Sequence, residues 1–352
     1  MDRRDFLMAA GISGAAALAG GALTASGDAA SSAQPAPPPV KPKRLSPGDT
    51  VALVSPSGAT ATRNDAAIVK ENMEALGFKV KPGAHLLDRY GYLGGQDADR
   101  AADLMAAFAD PEVDGIVAMK GGWGCARILP LLDYDIIRRN PKVLLGYSDI
   151  TALLLGLHAK TGLITFHGPI GLDPWNGFTV DLFRKVVMEA EAVTLRNLTD
   201  VGDHLTQVEH RVQTIVPGTA AGVLRGGNLS IISSLLGTGY VPAWSDAILF
   251  VEDINEGIYR VDRMMTHLAL AGVLKQVKGF VFGRCTDCDP DSGYGSLTLE
   301  QVLDDHVRPL GIPSWYGAMF GHLPLKFTVP VGIPARVDSE KGTIELLEPA
   351  VV

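Results

Sequence analysis

Lys142-Val143-Leu144-Leu145-Gly146-Tyr147-Ser148-Asp149-Ile150-Thr151 is an apolar run that stops at a glycine, with a serine opening the next segment. The run reads as a buried strand and Ile150 to His158 as a helix, which puts Ser148 on the turn between them. A serine there has two readings. It is an ordinary N-cap, or it is a nucleophile lifted clear of a sheet, next to the free N–H groups of a helix's first turn. Ile150 stands where the usual nucleophile pattern carries a second glycine, so other stretches have to decide.

Working upstream, Thr50-Val51-Ala52-Leu53-Val54 is an apolar strand that ends at Ser55-Pro56-Ser57-Gly58. Asp65 to Leu76 has the helical period, Phe78-Lys79-Val80 is a short strand, Asp97 to Phe108 a helix and Asp114 to Met119 a strand. Strands alternating with helices over short connections predict a mainly parallel, doubly wound α/β sheet, with ligands beyond the carboxyl ends of its strands. Gly121-Gly122-Trp123-Gly124 falls at such an end. It lacks the spacing of a nucleotide-binding loop, which leaves a plain tight turn or a place where backbone N–H groups approach a ligand.

Downstream, Leu163 to Phe166 is a strand followed by His167-Gly168-Pro169, and Thr179 to Glu189 reads as a helix. The second half carries the strands Ala247 to Val251 and Val277 to Phe282, helices at Ile258 to Leu270 and Leu299 to Leu310, and closing segments at Phe320 to Val331 and Thr343 to Leu347. The expected organisation is an export signal over 1–33, a Pro-rich tether over 34–47, an N-terminal domain over 48–175, a crossover over 176–211 and a C-terminal domain over 212–352. The signal reading rests on Arg3-Arg4 before a Gly- and Ala-rich apolar run, the pattern of twin-arginine export to the periplasm. If uncleaved, the same run would be a membrane anchor.

At 352 residues, 47% hydrophobic and 20% charged, the chain can bury a large core, and its net charge of −8 argues against a nucleic-acid partner. Three cysteines are too few for a disulfide scaffold. Cys285-Thr286-Asp287-Cys288 has no second pair to complete a structural zinc site, and reads as incidental loop cysteines or as a local disulfide. No metal and no cofactor is expected.

A catalytic serine needs a base and a carboxylate to orient it. Of eight histidines, His158, His267 and His306 fall in helices and His204 and His210 in the polar crossover. His167 follows a strand, and His322 lies in a loop bounded by Gly321 and Pro324. Glu252 ends an apolar strand, beside Asp253 and near Glu256, where it is either a functional carboxylate or a helix cap.

The series Gly121-Gly122-Trp123-Gly124 with Arg127 to Asp133, Gly146-Tyr147-Ser148-Asp149-Ile150-Thr151, Arg225-Gly226-Gly227-Asn228-Leu229, Leu249-Phe250-Val251-Glu252-Asp253 and Gly321-His322 resembles the LD-carboxypeptidase family of serine peptidases, which also includes the microcin C immunity peptidases. The resemblance runs from about Leu45 to Leu347. It implies a flavodoxin-like N-terminal half and a smaller C-terminal α/β half, usually in a homodimer. It also implies Ser148 as nucleophile, His322 as base, Glu252 as its carboxylate, and the N–H groups of Gly122 and Asp149 as an oxyanion hole. The implied substrate is a peptidoglycan-derived tetrapeptide that loses its terminal D-alanine. Trp123, Arg225, Asn228, Lys326 and Arg336 are candidate substrate contacts, the three cations and the Asn228 amide for a terminal carboxylate. The alternatives are a peptidase of peptide–nucleotide or other acyl conjugates, and a periplasmic binding protein without turnover.

Overall fold

The computed structural model describes residues 37–288 and 295–352. The expected export signal lies outside the described residues. Among the described residues no helix is long and apolar enough to cross a membrane.

The strands are, in chain order, β1 (Thr50–Val54), β2 (Lys79–Pro82), β3 (Gly115–Ala118), β4 (Val143–Gly146), β5 (Thr165–His167), β6 (Thr194–Arg196), β7 (Gln213–Val216), β8 (Thr219–Asn228), β9 (Ala247–Ile254), β10 (Gly279–Thr286), β11 (Ser314–Tyr316), β12 (Val329–Val331), β13 (Pro334–Asp338) and β14 (Thr343–Leu346). The first sheet has the order β12-β5-β4-β3-β1-β2. Its strands β2-β1-β3-β4-β5 are parallel and follow the flavodoxin-like order, whose switch point lies between β1 and β3. β3 and β4 are buried along their whole length, as expected of strands covered by helices on both faces.

The second sheet has the order β6-β14-β13-β8-β9-β10-β11-β7. β8 to β11 are parallel at its centre, flanked by antiparallel β13 and β7. β9 is buried from Ala247 to Asp253, so a carboxylate at its end enters an apolar environment.

Two segments differ from the sequence expectation. Val329–Val331 adds antiparallel to β5 in the first sheet, although in the chain it lies between β11 and β13 of the second. Three buried apolar residues complete an edge that β5 would otherwise leave bare, and the chain must cross between the sheets to do so. Part of the expected tether also belongs to the fold. Val40 N–H donates to Gly162 O at 2.8 Å, Leu45 N–H donates to Val187 O at 3.0 Å, and the Leu45 side chain is 1% exposed. Its two apolar residues, Val40 and Leu45, are what bind an otherwise Pro- and Lys-rich stretch to the core.

β8 and β9 approach so closely that a Cβ on Gly226 would stand 1.8 Å from Phe250 O. No rotamer relieves a clash with backbone. Gly226→Ala is therefore expected to lower stability by about 3 kcal/mol, read as a shift in the urea midpoint.

Candidate active site

β4 ends at Gly146, and Ser148–Ile150 form a tight 3₁₀ turn that runs into the helix Thr151–Thr161. Ser148 has φ 63°, a conformation that costs a non-glycine residue of the order of 1–3 kcal/mol and persists only where its surroundings impose it. The neighbouring loops do so. Asp149, 1% exposed, accepts from Ser57 Oγ at 2.6 Å and from Cys125 N–H at 2.8 Å. The buried Arg100 guanidinium donates to Gly124 O at 3.0 Å and to Pro56 O. These bonds fasten the turns after β1, β3 and β4 to one another at the carboxyl end of the first sheet. A Cβ on Gly121 would lie 2.7 Å from Ser148 Cβ and 2.9 Å from its Oγ, so only glycine lets that loop pass. Among the described residues the Gly122 N–H has no hydrogen-bond partner.

The chain crossing from the second sheet to β12 brings His322 to this turn. The Ser148 hydroxyl lies 3.1 Å from His322 Nε2, and His322 Nδ1 lies 2.7 Å from Glu252 Oε2. With the proton on Nδ1 donated to the carboxylate, the Nε2 lone pair faces the hydroxyl. Gly321 makes this approach possible, since a Cβ there would stand 2.3 Å from Glu252 Oε2. The backbone of His322 is held as well. Thr286 Oγ1 donates to His322 O at 2.8 Å, from a turn closed by a Cys285–Cys288 disulfide. Of the two sequence readings of that pair the structure takes the bridge, because the end of β10 folds the two Cα atoms to 5.3 Å.

Tyr147 packs edge-on against the His322 ring, with centroids 4.9 Å apart. Lys326 Nζ lies 4.0 Å over the Tyr147 ring and pairs with Asp173 at 2.8 Å. Burial lowers the Lys326 ammonium, with Asp173 opposing it.

Glu252 is fully buried. Burial pushes its carboxyl up, but the His167 and His322 imidazoles outweigh that and hold it down at about 2. The neighbouring Asp253 moves the other way. Burial and the Glu252 charge push it up to about 6, against donors from Ser230, Ile254 and Asn228. Adjacent carboxylates with opposite displacements mark one as permanently charged and the other as a titrating wall of the site.

Trp123, Gly122, Ser148, Asp149 and Asn228 line one cleft of about 250 Å³, together with Ser230, Ser234, Asp253 and Glu256. Trp123 is 42% exposed at its rim. Asn228 caps the helix Leu229–Leu235 and turns its amide to Glu252 Oε1 at 3.3 Å and Asp253 Oδ1 at 3.0 Å.

The three candidate cations do not line this cleft. Lys326 is buried beside Asp173, Arg225 donates to Ser245 O at 3.1 Å and to Ala243 O, and Arg336 pairs with Glu345 across the β13–β14 ladder. Each has a protein partner, and the cleft lining contains none of the three. Sequence reasoning missed Ser57, Asp173 and Thr286; Ser57 alone carried a signal, at the end of the first strand. Among the described residues, the one cluster of metal-capable side chains is His85, Asp88 and Asp99 at the surface, away from Ser148.

Two family models match the chain: the LD-carboxypeptidase N-terminal domain over residues 51–168 and the LD-carboxypeptidase C-terminal domain over residues 221–337. A Bacillus subtilis protein named as a probable murein peptide carboxypeptidase is 37% identical, over 86% of this chain and 93% of its own length. The murein tetrapeptide carboxypeptidase of Pseudomonas aeruginosa is 29% identical, over 83% of this chain and 94% of its own. Among solved structures, MccF in complex with glutamyl sulfamoyl guanosine superposes with a TM-score of 0.80 at 27% identity, covering 89% of this chain and 100% of that one. The muramoyltetrapeptide carboxypeptidase of Oxalobacter formigenes gives 0.73 at 28% identity, covering 84% and 97%.

The Asp253 carboxyl, raised from its ordinary 3.8 to about 6, binds a proton more tightly folded than unfolded. Its contribution to stability is complete below 3.8 and lost as pH rises through 6. Urea melts should therefore show the protein gaining about 2 kcal/mol from this group between pH 7 and pH 4.5. Asp253→Asn should lack that gain.

Proposed function

Because the chain belongs to the LD-carboxypeptidase family of hydrolytic carboxypeptidases, we propose that Ser148, His322 and Glu252 are its nucleophile, general base and orienting carboxylate. The substrate we propose is a muropeptide tetrapeptide stem that loses its terminal D-alanine. The hydrogen-bonded chain from Ser148 Oγ through both nitrogens of His322 to Glu252 carries the reading.

Ser148 Oγ attacks the carbonyl on the L side of the scissile bond while its proton passes to His322 Nε2. The imidazolium that forms is stabilised by Glu252, already ionised, and the carbonyl oxygen takes up charge facing the N–H groups of Gly122 and Asp149. Collapse of the tetrahedral intermediate breaks the C–N bond, and His322 returns the proton to the D-alanine amine. Water then repeats the sequence on the acyl-enzyme.

The murein-named relatives support the peptide substrate. The superposition on MccF bound to glutamyl sulfamoyl guanosine supports a second reading, cleavage of an acyl conjugate. The arginine pair of residues 1–33 supports export to the periplasm, and the family resemblance a homodimer.

Incubation with a disaccharide tetrapeptide should release free D-alanine, detected by mass spectrometry. Ser148→Ala and His322→Ala should each lower kcat by at least ~10⁴. Residual turnover near wild type in either variant defeats the assignment, and preference for a peptidyl sulfamoyl nucleoside over the muropeptide selects the second reading. Gly121→Ala, whose new methyl displaces the Ser148 side chain, should lower kcat about 10²-fold with the fold intact.

A further inference from the structure

His167 is the last residue of β5, 1% exposed, and neither of its ring nitrogens has a hydrogen-bond partner in the ground state. Aromatic rings surround it, with Tyr147, Phe250 and Phe320 at centroid distances of 6.0, 5.6 and 6.2 Å. Phenylalanine would fill such a cage without burying two polar atoms, and an unpaired buried donor costs about 1–3 kcal/mol. One polar group faces the ring. His167 Nε2 lies 3.7 Å from Glu252 Oε1, the carboxylate oxygen that His322 does not use.

Glu252 therefore stands between two imidazoles. The first exchanges a proton with Ser148. The second sits at the end of a first-sheet strand, with its Nε2 nearest the carboxylate rather than the serine. Oε1 otherwise receives only the long 3.3 Å contact from Asn228. Closing the His167 gap by less than 1 Å makes an N–H···O⁻ bond in a site without solvent, where a charge-assisted bond is strong.

We propose that His167 is a positioning residue of the reaction, its Nε2–H donating to Glu252 Oε1 so that Oε2 stays fixed on His322 Nδ1 while the imidazolium forms. The proposal rests on the assignment of Ser148, His322 and Glu252 made above. No proton leaves His167. It divides the carboxylate charge between two donors and ties Glu252, on the second sheet, to β5 of the first. The other charged or polar groups facing Glu252 are His322 on the crossing segment, Asn228 at the end of β8, Asp253 beside it on β9, and Lys326 and Tyr147.

The test is steady-state kinetics against pH with the tetrapeptide, for the full-length protein and its His167→Phe, His167→Gln and Ser148→Ala variants. His167→Phe should still fold cooperatively and show kcat about tenfold lower with KM unchanged. The acid limb of its kcat/KM profile should move to higher pH, because an undivided Glu252 charge holds the proton at His322 more tightly. His167→Gln, which keeps an N–H donor, should recover part of both. Wild-type kcat and an unmoved limb in the Phe variant overturn the proposal. So does a change in KM alone, or an equal loss in Phe and Gln with the limb unmoved, which is the signature of packing. Should the Phe variant not fold, His167→Leu is read the same way. An active Ser148→Ala variant would instead overturn the underlying assignment. An inactive one beside wild-type-like His167 variants sinks this proposal alone.

Discussion

A carboxylate without solvent exposure, 2.7 Å from an imidazole, is the contact on which this architecture turns. Removing an ion from water costs several kcal/mol unless partners replace the solvent. Glu252 sits at the end of β9 in the second sheet, and the partners that keep it charged are His322 on the crossing segment and His167 on the first. Charge compensation therefore requires the two sheets to be docked. A loosened junction would leave an unpaired buried carboxylate, so this contact penalises separation of the halves.

The crossing of residues 321–328 serves both ends. Glycine at 321 lets the backbone pass within side-chain distance of Glu252, the carbonyl of His322 is taken by Thr286, and β12 then anchors the segment antiparallel to β5. Opposite it, Ser148 is held in a strained conformation by Asp149, Ser57 and Arg100. Neither half is free to relax towards a lower-energy local geometry. Constraint of this kind fixes the hydroxyl and the imidazole at hydrogen-bond distance from one another.

How far the sequence could show this depended on whether a feature is local. The strand, turn and helix around Ser148 are written in adjacent residues, as a buried run, a glycine and a helical period, and the alternation of strands and helices gives the parallel sheet. The residues Glu252 and His322 could be picked out as a strand-end carboxylate and a loop histidine, but spacing alone gave neither an advantage over His167 or Asp253. What remained hidden depends on contacts between distant segments. Three apolar residues at 329–331 read the same whichever sheet they join. The Cys285 and Cys288 pairing depends on the path of the turn, and the destinations of Lys326, Arg225 and Arg336 depend on which acid or carbonyl lies within reach of a long flexible side chain. His167 was legible as a histidine after a strand, yet its proximity to Glu252 exists only once the sheets are packed.

The fate of those cations bears on what the cleft can hold. With Lys326 bound to Asp173, Arg336 to Glu345 and Arg225 to backbone carbonyls, the lining of the cleft carries acids without a compensating basic side chain. Asp253 and Glu256 make an acidic wall of it. An anionic group placed against that wall would meet at least the Glu256 charge in a site of reduced dielectric, and above pH 6 the Asp253 charge as well. A cation or a neutral amide suits these acids better. The acids that line the cleft, rather than a single ion pair, thus constrain what charge can be held beside Ser148.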